Sequence, residues 1–125
     1  MNEQPIVWRV DDVSAEAMFS WVEALRDVNP IHVDPQAASA LGYGPRTVNP
    51  GPTNLAYVLT MLMAAAPGEY PARIEARFLG NVLSGDSLEV TCDRADDGIF
   101  RARLKIAGDG EIVLDAKVTM EPIEE

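Results

Sequence analysis

Apolar and polar residues change their period halfway along this chain. In the first half they recur three and four positions apart. From Ser14, "SAEAMFSWVEALRD" sets Ala17, Met18, Trp21, Val22 and Leu25 on one side of a helix, with Asp12 or Ser14 available as its N-cap. That helix stops before "NP", because the residue ahead of a proline is pushed out of the helical region. "DPQAASALG" predicts a compact second helix, in which Asp34 is a good N-cap, Pro35 suits the first position and Gly42 the left-handed position after the end. "YGPRTVNPGP" is dense in Gly, Pro and Asn and reads as a loop. "TNLAYVLTMLMAAAPG" then predicts a long helix from near Thr53 to Pro67-Gly68. Its apolar residues cover nearly the whole circumference, so it should be buried on most sides.

The second half alternates. "ARIEARFLGNV", "DSLEVTCDRA", "GIFRARLKIAG" and "EIVLDAKVTM" read as four antiparallel strands separated by the turns "SGD", "ADDG" and "GDG", and "PIVWRV" near the N-terminus adds a fifth. A sheet curled about one long helix reconciles the alternation with a helix apolar all round, which predicts an α+β fold. A single layer leaves sheet edges or faces to be covered, and that favours a homodimer. With no repeat, linker or low-complexity tract, residues 1–125 read as one domain.

Composition narrows the partners. A net charge of -10, with 20 acidic against 10 basic residues, argues against nucleic acid and against an anionic membrane surface. "LAYVLTMLMAAA" is too short to span a bilayer, and "MNEQPIVWRVDD" has no basic segment followed by an apolar run, so a cytoplasmic protein is expected. Cys92 is the only cysteine, in an alternating segment where a small strand residue suffices. One histidine, one cysteine and scattered carboxylates make no zinc-type ligand set, and no cofactor is expected. A G-x-S-x-G elbow and a phosphate-cradling glycine loop are both missing.

The chemistry that stands out is "DVNPIH". Asp27 follows the first helix, His32 lies beyond an Asn-Pro turn, and proline restricts the turn between them. A carboxylate that takes a proton and an imidazole that returns one can add water to a polarised double bond or remove it. On spacing alone the same residues also read as a turn carrying a surface hydrogen bond.

"DVNPIHVD" resembles the hydratase signature of the MaoC-like family, which includes (R)-specific enoyl-CoA hydratases. "HVDPQAASALGYG", "PRTVNPG" and "ARFLGNVLSGDSLEV" resemble, in order, its short helix, its loop into the central helix and its strand-turn-strand. The resemblance covers roughly residues 15 to 120 and implies a hot-dog fold, an antiparallel sheet wrapped around a long central helix, usually dimeric. It implies an acyl-CoA or acyl-carrier-protein thioester as substrate, Asp27 as general base and His32 as holder of the water and proton donor. It implies that the amide of Gly51 binds the thioester carbonyl. The family commonly has His-Gly where this chain has Pro50-Gly51, so Asn49 is an expected substitute donor, and Arg46 an expected contact for a substrate phosphate or carboxylate. The alternatives are a non-catalytic acyl-binding hot-dog subunit, or a divergent dehydratase or thioesterase of a biosynthetic pathway.

Overall fold

A computed structural model describes residues 6–27, 29–95 and 97–124. Pro5 of the expected first strand, Val28 of "DVNPIH" and Asp96 of the "ADDG" turn lie outside the described residues. The elements run β1 (Ile6–Val10), α1 (Ala15–Leu25), a 3-10 turn (Pro30–His32), α2 (Pro35–Ala40), α3 (Gly51–Ala65), β2 (Glu69–Phe78), β3 (Leu88–Arg94), β4 (Phe100–Ile106) and β5 (Ile112–Pro122).

Local chemistry sets the helix boundaries. Ser14 accepts from the Ala17 amide at the start of α1, and Asp34 accepts from the Gln36 amide at the start of α2. Gly42, at φ 90°, follows α2 in the left-handed region as expected. α3 begins two residues earlier than Thr53, at Gly51, because Pro50 and Pro52 both hold φ values that a first helical turn accepts.

The five strands form one antiparallel sheet in the order β1-β3-β4-β5-β2. Alternation sends one side chain in two to the helix side. Val90, Leu104 and Leu114 share one buried row, and Cys92, Ala102 and Ala116 the next. The second row is small, which lets α3 come close as it packs on β2, β3 and β4. Val58, Met61 and Leu62 of α3 and Met18 of α1 complete the core. Burial keeps the Cys92 thiol protonated: desolvation, with a smaller push from the Asp93 charge, raises its pKa to about 12.

The long helix departs from its predicted burial. Met63 is 52% exposed, and Ala64 and Ala65 are exposed too. One sheet covers one side of α3, and among the described residues no layer covers Met63, Ala64 and Ala65 on the other. The strand that follows shares the exposure. β2 lies at the sheet edge, with Ile74, Phe78 and the adjoining Leu79 open to solvent.

The segment 47–49 positions the site. Val48 donates to Ile31 O at 2.9 Å and bridges to Leu83, while Asn49 donates to Val82 O at 2.7 Å. This stretch ties the 3-10 turn to the β2–β3 connection and then feeds into α3.

Candidate active site

The Asp27 turn is built from backbone bonds to its own side chains. Arg26 closes α1 in the left-handed region, at φ 53° and ψ 39°, and Asp27 donates back to Val22 O at 3.1 Å. Asp27 Oδ1 then accepts from the Asn29 amide at 2.9 Å, and Asn29 Oδ1 from the Ile31 amide at 3.2 Å. Two successive side-chain-to-backbone turns of this kind fix the chain without any regular structure. Asn29 is therefore a turn residue, and Pro30 opens the 3-10 turn that ends at His32.

His32 is buried, and its Nδ1 lies 2.6 Å from Val48 O. A carbonyl oxygen only accepts, so Nδ1 carries the hydrogen. The other ring nitrogen, Nε2, lies 3.2 Å from Asp27 Oδ2. With Nδ1 protonated, a neutral ring would point a lone pair at a carboxylate lone pair. A proton on either group would turn this contact into a hydrogen bond. Asp27 keeps 29% of its side-chain surface exposed against 10% for His32, so the pair opens towards solvent on the carboxylate side.

Gly51 is the first residue of α3, three positions beyond Val48. An extended chain of that length spans at most roughly 11 Å, so its amide and the His32 carbonyl anchor belong to one neighbourhood. Thr53 N–H closes on Pro50 O at 3.0 Å, and Pro52 has no N–H. Among the described residues the Gly51 N–H has no partner, which leaves one donor at the positive end of the α3 dipole. A left-handed turn does not explain the glycine, since it is absent from the positive-φ residues and its added Cβ would meet Phe78 Cε1 at an ordinary 3.5 Å.

The other two expected contacts, Asn49 and Arg46, both have partners within the chain. Asn49 is buried, and its Nδ2 donates to Asn54 Oδ1 at 2.7 Å. Arg46 donates to Asp86 Oδ1 at 2.9 Å and to Ser84 O at 3.3 Å, stapling its loop to the β2–β3 connection. The structure brings Asp27 and His32 together, sets Gly51 three residues along the chain from the His32 anchor, and uses Asn49 and Arg46 to hold that loop in place.

Sequence reasoning passed over a polar cluster on α3. Asn49 also bonds the Tyr57 hydroxyl, whose pKa is raised by burial and partly brought back by that bond. Thr53 Oγ1 is fully buried with no partner among the described residues. Thr53, Asn54 and Tyr57 are polar exceptions in an apolar helix at positions i, i+1 and i+4, and that spacing was the available signal. No group of three or more His, Cys, Asp or Glu gathers as metal ligands among the described residues.

A MaoC like domain matches residues 11–114. The chain belongs to the MaoC-like family. Members of this family are hydratases and dehydratases. The MaoC-like fold is confirmed by solved structures. The (R)-hydratase PhaJ1 of Pseudomonas aeruginosa superposes with a TM-score of 0.83 at 19% identity, over 98% of this chain and 81% of that one. The (R)-hydratase of A. caviae, involved in PHA biosynthesis, gives 0.82 at 16% identity, over 96% and 95%. The HadBC (3R-hydroxyacyl-ACP dehydratase) complex of Mycobacterium tuberculosis gives 0.67 at 26% identity, over 96% and 98%. These likenesses make the five-stranded sheet and its helix a hot-dog fold. No curated protein sequence matches the chain. No helix among the described residues is long and apolar enough to cross a membrane.

Proposed function

We propose that this MaoC-like chain hydrates 2-enoyl thioesters, or dehydrates 3-hydroxyacyl thioesters, through Asp27, His32 and the Gly51 amide. The observation that carries the reading is the 3.2 Å approach of His32 Nε2 to Asp27 Oδ2, with the ring held from behind by Val48 O.

The proton count closes on that pair. In the hydration direction the dyad starts as carboxylate and imidazolium. A water held by both groups gives its proton to Asp27 as its oxygen bonds to the β-carbon. The double-bond electrons move towards the carbonyl, and the Gly51 N–H bonds the developing enolate oxygen. His32 delivers its Nε2 proton to the α-carbon. Asp27 then holds a proton that His32 has lost, and its transfer across the direct contact restores the starting state. Dehydration runs the same transfers backwards.

The substrate carrier is CoA or an acyl-carrier protein. The chain's acidity disfavours steering of an acidic carrier, which tilts the reading towards CoA. We further propose a single domain over residues 1–125 that works in the cytoplasm as a homodimer. The β2 edge and the uncovered side of α3 supply the surface, because an exposed edge with apolar side chains is a template for a second copy.

Crotonyl-CoA and longer enoyl thioesters test the activity directly, by the loss of conjugated absorbance. Turnover abolished by Asp27→Asn and by His32→Ala supports the reading. No turnover of any thioester by the parent protein rejects it. Light scattering tests the dimer, with Phe78→Glu and Ile74→Glu expected to return a monomer.

A further inference from the structure

The outer face of the sheet, turned away from α3, carries charged side chains at alternate positions. In one transverse row Thr91, Arg103, Asp115 and Arg77 stand opposite one another across β3, β4, β5 and β2, and the charges alternate in sign. In the next row the order is Asp93, Arg101, Lys117, Glu75. Two cations there stand side by side on the neighbouring inner strands β4 and β5, an arrangement that repels where an acid at either position would attract.

The neighbouring acids are only partly available to relieve it. Glu75 accepts from Arg73 at 3.1 Å, and Asp115 lies 3.8 Å from Arg103. Among the described residues no ion pair joins Arg101 or Lys117 to a carboxylate. Both line a hollow of about 420 Å³ on this face, to which Arg77 and Arg103 also contribute. Four of the chain's 10 basic residues and three carboxylates, Glu75, Asp93 and Asp115, line this hollow, a local excess of positive charge in a protein with net charge -10. That excess, centred on the adjacent Arg101 and Lys117, sets the sign of the ligand.

We propose that this hollow binds a compact dianion of the phosphate class, seated over Arg101 and Lys117. Arg101 offers a planar fork of donors and Lys117 a point charge, a pairing suited to phosphate oxygens. The flanking acids set the size. Asp93 and Glu75 stand at the two ends of the row, so an extended polyanion would bring its outer charges onto carboxylates. A small dianion meets only the central pair, with the Thr91 hydroxyl of the adjoining row as a further donor. The site lies across the sheet from the dyad and is independent of the hydratase reading.

The whole protein is titrated with inorganic phosphate and pyrophosphate, against chloride at matched ionic strength, and followed by calorimetry and thermal unfolding. Inorganic phosphate is expected to bind and to raise the unfolding midpoint, pyrophosphate to bind more weakly because its second phosphoryl group meets the flanking carboxylates, and chloride to do neither. Arg101→Gln and Lys117→Gln are each expected to weaken binding by about tenfold, the loss of one charge-assisted contact. Without anion at low salt, each variant should be at least as stable as the parent, since the repulsion is gone. Arg73→Gln should bind as the parent does. Vesicles containing phosphatidic acid should not sediment the protein, because the hollow takes a free anion. The proposal is overturned if chloride acts like phosphate, if both variants keep the parent affinity, or if binding appears only on vesicles. Variants less stable than the parent without anion would overturn it too, since the two cations would then be part of a satisfied ion-pair lattice. So would a salt-sensitive self-association through this face that phosphate does not disrupt.

Discussion

Two proline-rich loops meet at the dyad, and they work in opposite ways. On the proposed reading, side chains do the chemistry in the turn after α1: Asp27 and His32 face each other, and Asn29 folds the backbone beneath them. In the loop before α3 the same reading gives the work to the backbone. Val48 O orients the imidazole and the Gly51 N–H stands free, while the Asn49 and Arg46 side chains anchor the loop to α3 and to Asp86. Side-chain chemistry leaves a motif in a sequence. Backbone chemistry leaves only the glycines, prolines and anchors that allow it.

The largest test of this contrast removes the side-chain half. Asp27→Asn and His32→Ala should each lower kcat for enoyl thioester hydration by about 10²–10⁴-fold with the fold intact, measured by steady-state kinetics and circular dichroism. A loss of a few-fold only would place the chemistry elsewhere. Asn49→Ala probes the backbone half. It strands the buried Asn54 Oδ1 and the Tyr57 hydroxyl, and denaturant unfolding should show a loss of about 1–3 kcal/mol. Its kinetic effect should fall on kcat, because the displaced groups are the Val48 carbonyl and the Gly51 amide rather than a substrate contact.

Arg46→Gln separates anchor from ligand contact. The guanidinium is partly exposed, so losing its pair with Asp86 should lower stability by about 0.2–1 kcal/mol. KM for the CoA thioester should stay at the parent value, and a rise of tenfold or more would restore Arg46 as a substrate contact. The smallest effect is expected from Arg26→Gly. Glycine relieves the left-handed conformation at this position but frees the unfolded chain, and the two terms nearly cancel to within about 1 kcal/mol. Its kcat should equal that of the parent, since only the backbone path into Asp27 is involved.

The same contrast explains what could be read in advance. Ser14, Asp34 and Gly42 announced the short helices because capping is a local affair of one side chain and one or two amides. The strands were visible through alternation, and Asp27 and His32 through their spacing. Strand order was not, because β2 pairs with β5 across 30 or more residues of chain and no local pattern encodes that choice. The burial of α3 was overestimated for a related reason. An apolar circumference says that a helix will be covered, not that its own chain does the covering. Asn49 was expected to replace the donor that Pro50 lacks, and Arg46 to meet a substrate phosphate or carboxylate; their partners within the chain, Asn54 and Asp86, lie on separate segments that come together only in the fold. Arg26, just ahead of the aspartate, takes φ 53° as a non-glycine residue, and no local pattern in the sequence announces that conformation.

Pro52 removes one hydrogen from the start of α3, so a carbonyl bound there meets a single amide. An enzyme with one such donor leans on the acidity its substrate already possesses. Thioesters form enolates far more readily than oxygen esters or amides, so a site of this kind sorts acyl donors by carbonyl electronics without needing to touch the sulfur. Oxygen-ester analogues of a good substrate would then bind normally and react slowly, a selectivity written in a missing proton rather than in a pocket.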